Sequence, residues 1–171
     1  MDTNVWLPLL TLRLGWAGAT SSEFLRDRRQ EKRERQAREA ERALRREERR
    51  DEFQREALLG LQEALAKLGR AATEAHLHDL REHRQTGTPW PDLRLGKELD
   101  EELRLATLQV RMLEERVLDD ELRNLVQQFL DLYTEALLAR SEAEAKAAYN
   151  ALIASNERAQ ARLGTLLRQL Y

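Results

Sequence analysis

The sequence predicts an all-α protein in which a long charged helix leads into an antiparallel three- to four-helix coiled-coil-like bundle. Three observations carry this expectation. Leu, Ala, Glu and Arg dominate, with 35% charged and only 5% aromatic residues, a balance typical of long helices and coiled coils. From Leu58 onward, apolar residues recur at alternating spacings of three and four. Between Ser22 and Arg55 charged residues dominate instead, and no Gly or Pro interrupts them.

The N-terminal stretch Val5 to Ala19, VWLPLLTLRLGWAGA, is the most apolar of the chain. It is short for a bilayer span, which needs about 17–25 residues. Arg13 lies inside it, at a cost of about 2.5–3.5 kcal/mol on insertion scales. Asp2 stands where a signal peptide carries basic residues. Trp6 and Trp16 nevertheless suit a membrane interface, and a dense Arg run follows at once, as in a cytoplasmic flank. Residues 1–20 are therefore expected to be an apolar segment and a candidate membrane anchor.

Thr20-Ser-Ser-Glu23 reads as a capping box, which predicts a helix starting near Ser21 and running to about His83. Its first part, residues 21–55, is expected to be an extended charged helix. Between Arg26 and Arg50 there are twelve basic and seven acidic residues, a net charge of +5. The pairs Glu31–Arg35, Glu34–Arg38 and Glu41–Arg45 place the acid first at i,i+4, the better order for the helix dipole. With no apolar face, such a helix cannot enter a core and stands in solvent.

Residues 56–171 are expected to form the bundle. Leu58, Leu61, Leu65, Leu68, Ala72 and Ala75 make the first seam. Traced backwards, its frame meets Gln54, Asp51 and Glu47, where the charged rod takes over. Thr86-Gly-Thr-Pro-Trp-Pro-Asp92 ends the helix and reverses the chain, with Trp90 expected to cover the end of the bundle. The seam resumes through Leu99, Leu103, Ala106, Val110, Leu113 and Val117. It then slips by one residue to Leu118, Leu122, Leu125, Phe129, Leu132 and Ala136. Asp119-Asp120 sits at that slip and predicts a kink or break capped by an Asp. Ser141-Glu-Ala-Glu144, a second capping box, opens the last helix. That helix carries Ala145, Tyr149, Leu152, Asn156, Ala159, Leu163, Leu166 and Leu170 on one seam. Asn156 is its polar member, a residue type that usually fixes register.

The excluded chemistry is as informative. Cysteine is absent, which removes disulfides, thiolate metal sites and a Cys nucleophile. His76, Asp79 and His83 share a helix face at i,i+3,i+7, yet neither His-Glu-x-x-His nor paired Glu-x-x-His occurs, so no metal is expected. No acid/base pair, nucleophile arrangement or Gly-rich phosphate loop stands out, so no catalytic residue, cofactor or small-molecule substrate is expected. The acids within the basic run argue against specific DNA reading, as does its lack of any Asn to reach a base edge.

The quoted order of parts resembles a loose group of uncharacterised actinobacterial proteins. The resemblance rests on REERRDEFQREALLGLQEAL, DDELRNLVQQF and NERAQARLGTLLRQL following an apolar Trp/Gly segment. It implies an N-terminal membrane segment ahead of a cytoplasmic helical domain, and no activity.

The functional expectation is a non-catalytic interaction or scaffold protein on the cytoplasmic face of the inner membrane. Its anionic-surface residues would be Trp6, Trp16, Arg26, Arg28, Arg29, Lys32 and Arg33. Partners would be that surface and a protein, or a second copy engaged through helical seams. The alternative is a soluble cytoplasmic coiled-coil protein, with Trp6 and Trp16 packed on its own bundle, that binds nucleic acid non-specifically through the basic helix.

Overall fold

The computed structural model describes the backbone of residues 6–170 and the side chains of residues 30–170. It contains helices α1 (Trp6–Thr86), α2 (Lys97–Glu114), α3 (Asp120–Leu137) and α4 (Glu142–Gln169), with one 3-10 turn at Trp90–Asp92. Among the described residues there is no strand. The chain divides into two compact units, Met1–Arg49 and Arg50–Tyr171. The division falls earlier than the expected 55/56 boundary, because Gln54 and Arg55 are already tied to the bundle. α1 is bounded at Trp6, ahead of the expected start at Ser21; the side chains of the Thr20–Glu23 box lie outside the described residues.

The second unit is an up-down-up-down four-helix bundle. Its first helix is the C-terminal part of α1, which presents more than the expected seam. Ala57, Ala64 and Ala71 are buried beside Leu58, Leu61, Leu65, Leu68, Ala72 and Ala75. Three apolar positions per heptad make a face wide enough for neighbours on both sides, whereas a two-position seam suits one partner. α2 packs antiparallel to it at short range: a Cβ at Gly60 would stand 3.3 Å from Leu113 Cδ2. α4 is also antiparallel to α1, since Arg55 meets Leu170, Thr73 meets Tyr149 and Arg84 meets Glu142.

The ends of the helices follow local chemistry. Gly87 adopts φ +70° just after α1, and its N–H donates to His83 O at 2.9 Å. That left-handed cap suits Gly, and Pro89 then prevents continuation. Asp119 caps α3 by accepting from Leu122 N at 2.8 Å, at the break expected beside Asp119-Asp120. Ser141 caps α4 by accepting from Glu144 N, while Glu144 reaches back to Arg140 N rather than to the cap residue itself.

The seam of α3 differs from expectation. Leu118 lies in the connection before α3 and is exposed, and Leu125, Leu132 and Ala136 are half-buried. Leu122, Val126, Phe129, Leu130 and Tyr133 are buried instead. The helix restarts at Asp120, so its rotation is set by packing and not by the frame carried through the loop. In α4, Ser155 is fully buried where the seam suggested Asn156, which is half-buried beside Gly69.

Two side chains lock the α2–α3 connection. Gln54 donates from Nε2 to Arg116 O at 2.8 Å and accepts from Leu118 N at 3.0 Å. Arg162 on α4 holds Asp119 through two guanidinium nitrogens, Nη2 and Nε, at 2.6 and 3.1 Å, and its third, Nη1, reaches Glu121 at 3.1 Å. That pairing holds the Asp119 carboxyl below the usual carboxylate range.

Gln54→Leu removes both hydrogen bonds and is expected to lower stability by about 1–3 kcal/mol; urea unfolding monitored by circular dichroism measures it. Ala40→Pro, placed in the exposed charged helix, should reduce helical ellipticity but leave the bundle's melting temperature within about one degree. A large drop would show that the charged helix is packed.

Candidate functional site

The candidate residues fall in two regions, one in each unit. In the first unit every described residue, Gln30 to Arg49, is exposed. Arg, Glu, Gln and Ala favour helix there without needing a core. Two of the three expected ion pairs form among the described residues: Glu34–Arg38 at 3.7 Å and Glu41–Arg45 at 2.5 Å. Exposed pairs of this kind contribute only a few tenths of a kcal/mol, so the missing Glu31–Arg35 pair matters little. The charge is uneven along the run. Seven bases face three acids from Arg26 to Arg38, while five bases face four acids from Glu39 to Arg50. The net positive charge is therefore concentrated at the end next to the apolar segment.

Of the residues expected to meet an anionic surface, Lys32 and Arg33 are exposed. They lie one position apart on the charged helix. The side chains of Trp6, Trp16, Arg26, Arg28 and Arg29 lie outside the described residues. Among the described residues no helix is long and apolar enough to cross a membrane.

In the second unit, titratable and aromatic groups gather where α1 ends and α4 begins. Trp90 is buried and covers this end, as expected, with Leu93 and Ala145. Its ring lies 5.8 Å from His83, edge-on, and 6.2 Å from His76. His76 stacks on Tyr149 at 4.4 Å with a 15° interplanar angle, and Tyr149 donates to Thr73 Oγ1. His83 Nδ1 sits 2.7 Å from Thr88 O, so the loop carbonyl fixes that ring. Arg84 binds Glu142 at 2.8 Å, holding the Glu142 carboxyl low in the first turn of α4, where an acid also suits the helix dipole.

His76, Asp79 and His83 thus share a face but not a focus. Among the described residues no three His, Cys, Asp or Glu side chains converge as a metal site would require. The cavity that His76 and Asp79 border, with Trp90, Tyr133 and Tyr149, measures about 20 Å³, room for one water, and His83 stands outside it. Asp79 Oδ1 is buried without a protein hydrogen-bond partner. Burial raises the Asp79 pKa, against the pull of His78. Burial lowers that of His76, against Asp79 and Glu142. Partial burial therefore pushes both groups towards neutrality.

Comparison with known proteins finds no matching family model, no matching curated protein and no matching solved structure. Residue reasoning anticipated the charged surface and the shared His76–Asp79–His83 face. It missed Gln54, whose signal was its place in the backward-traced frame of the first seam. It also missed Arg162, whose partner lies 43 residues away in sequence and leaves no local trace.

The opposed shifts predict a pH profile. Asp79 has a folded pKa above its unfolded value of about 3.9, so folding takes up a proton between the two and stability falls as pH rises through that window. His76 has a folded pKa below its unfolded value of about 6.5, so stability falls as pH drops through that one. Asp79→Asn should accordingly raise the melting temperature at pH 7, with a gain that fades towards pH ~4. Thermal melts of both proteins across this range test it, and a gain independent of pH counts against the desolvated carboxylate.

Proposed function

We propose that the chain is a non-catalytic helical interaction module attached to the cytoplasmic face of the inner membrane. Residues 1–25 lie on the lipid, and the basic start of the charged helix stands over anionic headgroups. The observation that carries this reading is adjacency. A Trp-bearing apolar stretch is followed directly by Arg26–Arg38, where the excess of bases is greatest. Each Lys or Arg near such a surface contributes about 1 kcal/mol within a Debye length. Several together offset an apolar segment too short to anchor alone, as two-signal attachment requires. The resemblance to chains with a membrane segment ahead of a helical domain supports the same reading.

Two features favour an interaction role over catalysis. The bundle's principal apolar seams are consumed in its own core. Two half-buried groups shifted by burial, His76 and Asp79, border a cavity of one-water size.

Co-sedimentation of the full chain with phosphatidylcholine vesicles, with and without phosphatidylglycerol, tests the attachment. Binding should require the anionic lipid and weaken with salt. The exposed pair Lys32→Gln/Arg33→Gln should weaken it roughly ten- to thirtyfold. Equal binding to neutral vesicles, or none at physiological salt, sinks the proposal. A preference for nucleic acid over anionic vesicles would favour the soluble alternative.

A further inference from the structure

All three histidines of the chain, His76, His78 and His83, lie near the end of α1 that the Thr86–Asp92 turn closes. His83 faces two other elements through its two ring nitrogens. Nδ1 lies 2.7 Å from Thr88 O in the loop, and Nε2 lies 4.0 Å from Glu142 Oε2 in the first turn of α4. A carbonyl oxygen only accepts, so Nδ1 carries the proton of the neutral ring. Nε2 is then left as a bare acceptor beside a carboxylate, and no hydrogen bond spans the 4.0 Å between them.

We propose that His83 is a proton-operated latch: protonation at Nε2 creates an N–H donor for Glu142 and fastens the first turn of α4 to the end of α1. Thr88 O keeps its Nδ1–H in both charge states, so the ring need not turn. The incoming proton goes to the one free ring nitrogen, which is the atom beside the acceptor.

The surroundings favour that closure. Glu142 already binds Arg84 through Oε1 at 2.8 Å, which leaves Oε2 to His83. Arg84 holds the Glu142 carboxyl below the usual carboxylate range, with smaller contributions from His83 and Lys146. Glu142 therefore stays ionised across about pH 5 to 8, where imidazole side chains change charge. Arg84, next in sequence, opposes a cationic His83, but its side chain is 66% exposed and water screens it. Asp79 and Glu82, also on α1, lie 3.5 and 3.7 Å from His78. Glu142 is the one acid within 4.0 Å of His83 among the described residues. Trp90 faces the ring from the loop at 5.8 Å, and among the described residues no ion pair or hydrogen bond joins the ring to α3. His76 acts the other way, because burial opposes its charged form. The latch belongs to the bundle alone and does not depend on membrane attachment.

Long-range ¹H–¹⁵N correlation spectra of the full chain report the tautomer and charge of each histidine, with His83 assigned by its loss in His83→Gln. Neutral His83 is expected as the Nδ1–H tautomer, with Nε2 taking up the proton as pH falls. A double-mutant cycle of His83→Gln and Glu142→Gln, followed by urea unfolding, isolates the pair and cancels the contribution of His76. The coupling should be worth roughly two- to fivefold in the folding constant at about pH 5.5 and vanish at about pH 8. Arg84→Gln, which removes the other pair of the same carboxylate, should leave that pH dependence in place. An Nε2–H tautomer for neutral His83 overturns the proposal. A coupling equal at both pH values, or absent at both, does so as well.

Discussion

The bundle depends on the width of one helical face. Between Ala57 and Ala75, α1 gives its core three positions in each heptad instead of two, and the added position is always Ala. The leucines supply apolar area, and the small side chains let neighbouring backbones come close. A face of that width stays partly wet in a two-stranded coil, so the physics favours neighbours on both flanks. Leu61, Ala64, Leu65 and Leu68 are fully enclosed as a result. Phe129 and Leu163, from α3 and α4, lie in the same core.

Packing of this kind fixes which helices meet but leaves connecting segments with unpaired backbone groups. Those groups are satisfied by a few long polar side chains at the two ends of the bundle. At one end Gln54 bridges Arg116 and Leu118, and Arg162 binds the residue that caps α3. At the other, His83 meets the loop carbonyl of Thr88, and Arg84 meets the first turn of α4. Because each contact joins a specific pair of elements, a slip of either helix by one residue would break it. Polar residues at the ends thus specify register, while the apolar middle supplies the driving force. Asp79 is an exception, being desolvated with one carboxyl oxygen lacking a protein hydrogen-bond partner.

Charge is segregated as sharply as apolarity. The net charge of the chain is −2, while Arg26–Arg50 alone carries +5. Positive charge and packing are therefore assigned to different stretches. The charged helix offers a positive field and no apolar area, and the bundle offers the area and carries the excess of acids.

Much of this was legible in the sequence because it is written in local periodicity and caps. The all-α class, the exposed charged helix, the Thr86–Asp92 reversal, the Asp119 cap and the Ser141 start all rest on residues within a turn or two of one another. Tertiary structure decided what depends on distant partners. It set the rotation of α3, which buried Val126, Leu130 and Tyr133 and left Leu118 outside. It buried Ser155 and left Asn156, which had the better seam position, half-buried beside Gly69. It also made Ala57, Ala64 and Ala71 core residues. An alanine's helix propensity is the same on any face, so only the arrival of a neighbouring helix determines whether it is surface or interior.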